Sequence, residues 1–332
     1  MTLTSGRQTY KPFHYAECHD FWLKQQQSHW LATEVPMSSD VTDWKQNLSE
    51  SEKKVVGGIL KGFIQTEVHV NEYWSQKVAK WFPHPEIAMM AVTFGAFESI
   101  HTHAYAHLNE TLGIEDYDAF LAEPSAKAKI DRLINEIGNS EPPPDWIEPN
   151  PDGVKYSIAK SLAIFSAFTE GVSLFSSFVV LLNFSRWNKL KGVGQIISWS
   201  IRDESLHSQA GCWLFRKFIE ENPEIWTDEF KRDIYQAARD TVALEDDFID
   251  KVFEDGEVEG LDPKDLKVFI RNRANQKLGE IGLKKNWKNV DEDALKRMEW
   301  FDFLSVGVEH TDFFSQRVTA YSKGTTNFDD MF

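Results

Sequence analysis

The sequence predicts an all-α protein, a single domain built on a bundle of long helices. Two observations carry that prediction. Apolar residues recur at helical spacing over several long stretches, whereas the alternating pattern of strands is scarce. No glycine-rich phosphate loop, alternating strand and helix pattern or solenoid repeat interrupts them. A chain of 332 residues, 42% hydrophobic and 13% aromatic, has ample material for a large core, which excludes a wholly disordered chain.

The elements follow in order. Ser49 and Glu52 form a capping box ahead of a helical pattern that runs to about Trp81. Pro83 and Pro85 break it and open a second helix from about Glu86 to Leu112, with Gly113 as its stop; Ile87, Met90, Ala91, Phe94 and Phe97 mark its apolar face. Residues 113–150 are shorter in period and end in the stiff connector Glu141-Pro142-Pro143-Pro144. A third long helix is expected over Val154 to Trp187, and a fourth over Val193 to Glu221, stopped by Asn222-Pro223. Further helices are expected near 227–254, 263–282 and 290–309. From Gln316 the periodicity is lost, so the sequence reads as a helical domain over 1–315 and a flexible tail over 316–332.

Ser161 to Phe184 is apolar and long enough to cross a bilayer, for which about 20 residues suffice. Glu170 near its middle would cost roughly 3 kcal/mol in lipid, and no positive cluster marks one flank. A helix apolar all round is then the central element of a large core, with no membrane partner. The formal charge of −16 argues against a nucleic-acid partner, which needs a basic face. Cys18 and Cys212 share no metal or redox spacing, and the first ten residues lack the apolar run of a secretory signal, so the expected location is cytoplasmic.

Two Glu-x-x-His steps occur, Glu98 to His101 and Glu204 to His207. Residues three apart share one helix face, so each step aims a carboxylate and an imidazole at one point. With ten histidines in the chain, about one such step is expected by chance, so the pattern alone is weak. Position adds what the pattern lacks. Each step lies in a long apolar helix, and each is preceded by a helix with its own isolated acid, Glu67 or Glu170. Any one of these residues could be a satisfied polar group of the core. All six together, in a helix-with-Glu then helix-with-Glu-x-x-His order that occurs twice, form the ligand set of ferritin-like di-metal bundles. Two divalent cations bring four positive charges, four carboxylates balance them, and two neutral imidazoles complete the coordination.

The runs FESIHTHAYAH, SIRDESLHSQ and FWLKQQQSHWLATEVPMSSD resemble the small, radical-generating subunit of class I ribonucleotide reductase, and the resemblance extends from about Phe21 to Tyr321. It implies a ferritin-like fold in which Glu67, Glu98 and His101 hold one metal and Glu170, Glu204 and His207 the other, with bridging carboxylates. Tyr105 stands where the family keeps the tyrosine that is oxidised to a stable radical; by spacing alone it would read as core packing. Leu174 and Phe178, one and two turns past Glu170, are placed to help cage it, and Ser200 is more polar than that cage suggests. The resemblance makes Asp203 the acceptor for a ligand histidine, His101, Trp30 the next member of the chain toward the surface, and Tyr321 the relay in the tail. The acidic, aromatic end Asn327–Phe332 resembles the tail that docks on the large catalytic subunit.

The implied cofactors are two iron ions, dioxygen and a tyrosyl radical on Tyr105. The implied activity is ribonucleotide reduction in the large subunit, which would hold the nucleotide and the reducing cysteines, and the implied state is a homodimer. One residue departs from the pattern: the first ligand is most often aspartate, and here it is Glu67, which leaves a manganese–iron or dimanganese centre open. Two rivals remain at this stage. One is a ferritin-like oxygenase or oxidase acting on a small apolar substrate. The other is a non-catalytic bundle that stores or holds metal.

Overall fold

Helices form where caps and apolar periodicity place them, and a computed structural model describes residues 2–7, 9–115, 124–138, 151–254 and 256–305. Helix α1, Ala16–Gln27, has no side-chain cap at Tyr15, which is why the sequence pattern does not announce it. Helix α2 starts at Ser49 as expected: the Glu52 amide donates to the Ser49 hydroxyl at 3.2 Å and the Ser49 amide to the Glu52 carboxylate at 2.8 Å. It runs through Glu50–Glu72, widens into a π turn at Tyr73–Val78 and closes over Ala79–Trp81. Helix α3, Pro85–Leu112, has proline in its first turn and ends at Gly113, whose φ of 72° a side chain would resist. Helix α4 spans Pro124–Gly138.

Helix α5 is one long rod of three parts, Pro151–Ile164, a π stretch Phe165–Ser173, and Phe175–Arg186. Of its most apolar window, 94% is buried, so the segment long enough to cross a membrane is the core helix of the bundle. Helix α6, Lys191–Glu221, is capped from a distance: the Asp40 carboxylate accepts from the amides of Gly192 at 3.0 Å and Val193 at 2.8 Å. Helices α7, Asp228–Glu254, and α8, Pro263–Glu280, follow, with Asp262 capping α8. The last described helix, α9, covers 292–305.

No strand occurs among the described residues. Helix α2 packs along α3 and α5 along α6, so each pair brings one lone glutamate beside one Glu-x-x-His step. Two features were not legible in the periodicity: the π segments in α2 and α5, whose apolar residues read as ordinary helix. The connector Glu141–Pro144, the tail 316–332, Tyr321 and the terminal acidic residues lie outside the described residues.

Candidate metal centre

Four helices deliver six side chains of metal-ligating type to one buried point. Glu67 comes from α2, Glu98 and His101 from one face of α3, Glu170 from the π stretch of α5, and Glu204 and His207 from one face of α6. All six are buried. They fall into two overlapping groups, Glu67–Glu98–His101–Glu204 and Glu98–Glu170–Glu204–His207, and within each group one ligand atom per residue lies within 4.8 Å of the others. Glu98 and Glu204 belong to both, so a carboxylate from each half stands between two centres.

Both imidazoles turn Nδ1 inward. His101 Nδ1 is 3.0 Å from Glu98 Oε2 and 3.0 Å from Glu204 Oε1; His207 Nδ1 is 2.7 Å from Glu98 Oε1 and 3.9 Å from Glu204 Oε2. Their outer nitrogens are fixed by a shared network. His101 Nε2 meets Asp203 Oδ2 at 3.2 Å, and His207 Nε2 meets Gln25 Oε1 at 3.1 Å. Gln25 in turn donates from Nε2 to Asp203 Oδ1 at 3.1 Å. The amide must turn its NH2 to the carboxylate, so its carbonyl faces His207 and both histidines donate from Nε2. Each Nδ1 is then the nitrogen that would turn its lone pair to a cation; without one, His101 Nδ1 sits 3.0 Å from the Glu98 carboxylate, where a proton satisfies both.

The charges inside this pocket settle in the only way a buried cluster allows. Burial, then the charge of Glu98, pushes Glu67 well above the usual carboxylate range. Burial and Glu204 do the same to Glu170, and burial with Glu98 pushes Glu204 up to about 8. Burial raises Glu98 too, but His207 and His101 outweigh it and bring that carboxyl down to about 2. His101 moves well up, because Glu98, Asp203 and Glu204 together overcome its burial. Protons thus neutralise the cluster when no cation does.

The donor set fits two divalent cations. Both oxygens of Glu67, both of Glu204, Glu98 Oε1, Glu170 Oε2 and His207 Nδ1 are buried and close no well-aligned hydrogen bond, although some lie as near as 2.7 Å to one another. Each such group costs on the order of 1–3 kcal/mol unless something satisfies it, and here they converge. Oxygen and imidazole donors without thiolate suit iron and manganese.

Tyr105 lies one turn beyond His101 on the same face, with ring centroids 6.3 Å apart. Its hydroxyl is buried and closes no hydrogen bond; Ser200, which donates to the Ile196 carbonyl at 3.2 Å, approaches it without completing one. Phe63 packs on the ring at 4.7 Å between centroids, and Phe178 packs on Phe63 at 5.2 Å, so Phe178 reaches Tyr105 through an intermediary. Leu174 is buried where the chain leaves the π stretch. Trp30 stacks on His101, 5.7 Å between centroids and 25° between planes, and donates from Nε1 to Asp203 Oδ2 at 2.7 Å. Burial would raise Asp203, yet the hydrogen bond and charge of His101, with Arg202 and Trp30, hold it below the usual range.

The sequence model of the family described as ribonucleotide reductase, small chain, matches residues 7–293. The chain belongs to that family. One small-chain relative, a probable ribonucleoside-diphosphate reductase small subunit of Invertebrate iridescent virus 6, is 35% identical over 98% of this chain and 97% of its own length. Among solved structures, the ribonucleotide reductase R2 subunit from Clostridium botulinum superposes with a TM-score of 0.78 at 18% identity, covering 92% of this chain and 94% of that one. The dimanganese(II) NrdF of Streptococcus sanguinis gives 0.70 at 22% identity, with 88% and 99% covered. Those two likenesses show that the fold is the class I R2 fold. The chain is therefore the small subunit of a ribonucleoside-diphosphate reductase, an oxidoreductase whose small chain implies a large-subunit partner.

Three residues of this small chain were not singled out by the sequence. Gln25 links His207 to Asp203, and the only sequence signal for it is its place in the Gln25-Gln26-Gln27 run of a resembling motif. Trp74 donates from Nε1 to Glu170 Oε1 at 2.6 Å, which leaves Oε2 as the oxygen facing the centre. It stands seven residues after Glu67, two turns along one helix face, a spacing that any core aromatic shares. Phe63, one turn before Glu67, is hidden by the same ambiguity.

Proposed function

We propose that Glu67, Glu98 and His101 hold one metal ion and Glu170, Glu204 and His207 a second, with Glu98 and Glu204 bridging, and that Tyr105 is the residue this centre oxidises. The single observation that carries the reading is the pair of overlapping buried ligand groups that share those two carboxylates. With iron bound, the centre and dioxygen supply the oxidant.

The chain's own residues set what is oxidised. Burial, and then the charge of Glu67, drive Tyr105 well above its ordinary pKa, so no phenolate is available. Its oxidation would deliver the electron and the Oη proton together to the dioxygen being reduced, and would leave a neutral radical. Complete burial of Tyr105, with Phe63 packed on its ring and Phe178 behind Phe63, keeps bulk water from that oxygen. Outward transfer then uses His101, Asp203 and Trp30. When the Trp30 indole gives up an electron, its Nε1 proton stays within 2.7 Å of an Asp203 oxygen that also anchors His101, so charge moves without stranding a proton. Tyr321 and the acidic tail complete the route to the large subunit, where a ribonucleoside diphosphate is reduced. The same reading takes a homodimer in the cytosol.

Iron is the reading that the retained Tyr105 favours. A dimanganese or manganese–iron centre is the second reading, on two observations: Glu67, whose extra methylene relative to aspartate changes carboxylate reach, and the dimanganese(II) neighbour of the same fold. Adding iron(II) and dioxygen to the metal-free chain and recording its electron paramagnetic resonance tests the proposal. A tyrosyl signal is expected in the wild type and none in Tyr105→Phe; the same signal in both would overturn the role of Tyr105.

A further inference from the structure

The π stretch Phe165–Ser173 that carries Glu170 is held from outside by three donors on three different helices. Ser208 of α6 donates from its hydroxyl to the Ser166 carbonyl at 2.6 Å. Arg273 of α8 donates from Nε to the Gly171 carbonyl at 2.5 Å. Lys129 of α4 donates from Nζ to the Ser173 carbonyl at 3.0 Å, and its ammonium is anchored by the buried carboxylate of Glu245, itself hydrogen-bonded by Ser176. The acceptors lie on both sides of Glu170, at the start and the end of the wide turns.

A π turn adds a residue to each hydrogen-bonded ring, so the side chains beyond it rotate relative to an ordinary helix, and the form is rare because its own backbone bonds support it poorly. Something else must select it. Two further features fix the stretch in place. A Cβ added at Gly171 would lie 2.8 Å from the Lys277 stem and 2.9 Å from Ser208 Oγ, so side chains of α6 and α8 close on the α5 backbone there and would have to shift for a larger residue. The Arg273 guanidinium lies over the Phe175 ring, 3.1 Å from its centroid, and Phe175 packs edge-on against Phe178. The same arginine thus holds the backbone beside Glu170 and the first ring of the aromatic row that leads to Tyr105.

We infer that Arg273 and Ser208 are positioning residues for Glu170: by holding carbonyl oxygens of the π stretch, they set the rotation that aims Glu170 Oε2 at its metal. This rests on the two-metal reading above. Glu170 belongs to only one of the two ligand groups, the one with His207. Loss of a clamp therefore weakens one ion and spares the other, whereas ordinary destabilisation weakens both.

Manganese(II) titration of the full-length chain, followed by the loss of the free-ion paramagnetic signal, measures both ions without turnover. The wild type is expected to bind two ions per chain. Arg273→Met, which keeps the stem and removes the donor, is expected to weaken one ion roughly ten- to a hundredfold, the range typical of partners that orient metal ligands, and to leave the other unchanged. Ser208→Ala is expected to act in the same direction, and Arg273→Lys to recover most of the loss. Two ions bound at wild-type affinity in both Arg273→Met and Ser208→Ala would overturn the inference. So would an equal weakening of both ions together with a lowered melting temperature. A wild type that fails to bind two ions instead contradicts the two-metal reading itself.

Discussion

Asp203 and Gln25 decide how the two histidines present themselves. Asp203 accepts from Trp30, His101 and Gln25, and Gln25 carries the connection across to His207, so one buried network orients a histidine from each half of the bundle. Replacing Gln25 by methionine, close in size but apolar, leaves His207 Nε2 without an acceptor and frees the ring to turn. Isothermal titration with manganese(II) is expected to show metal affinity reduced roughly ten- to a hundredfold; unchanged affinity would mean that the ring is held by packing alone. At this scale the sequence was partly legible. Acids and histidines in apolar helices are conspicuous because burial forbids them without a partner. Gln25, Trp74 and Phe63 were not, because an amide or an aromatic is unremarkable in a core and only coordinates reveal what it touches.

Caps, prolines and Gly113 made the long helices from Ser49 onward readable almost to their ends, since these residues act locally, whereas α1 and α4 went unread. The π segments were unreadable because their cause is tertiary. The one in α5 meets close contacts and donors from other helices, none of which leaves a trace in local spacing. Gly211 on α6 illustrates the point: a Cβ there would fall on the Ser166 side chain of the π stretch and 3.3 Å from Trp74, the indole that holds Glu170. Gly211→Ala is therefore expected to destabilise the fold by about 1–3 kcal/mol through overpacking. Urea unfolding of the metal-free chain measures this. A neutral or stabilising change, as helix propensity alone would give, would show that the contact relaxes freely.

The whole molecule carries a formal charge of −16, and part of that acid excess lies inside it. In the metal-free fold Glu204 titrates at about 8 against an ordinary 4.5; Glu67 and Glu170 shift the same way, and His101 rises above 6.5. Groups raised in this way stabilise the fold fully below their unfolded values, and the contribution is lost as pH climbs through the folded ones. Glu98 and Asp203, which are lowered, lose theirs only in acid, outside that window. The melting temperature of the metal-free chain is expected to fall as pH rises from about 5 to about 9. Loading with metal is expected to flatten that slope, because the cations displace the protons. A metal-free profile already flat would contradict the assigned shifts.

The central claim is geometric: two ions, six ligands, and two shared carboxylates. Anomalous diffraction at the iron or manganese edge, from crystals of the loaded chain, tests it most directly. The account predicts two peaks in the core, one flanked by Glu67 and His101 and the other by Glu170 and His207, with Glu98 and Glu204 between them. A single peak, or metal held anywhere else in the chain, would contradict it.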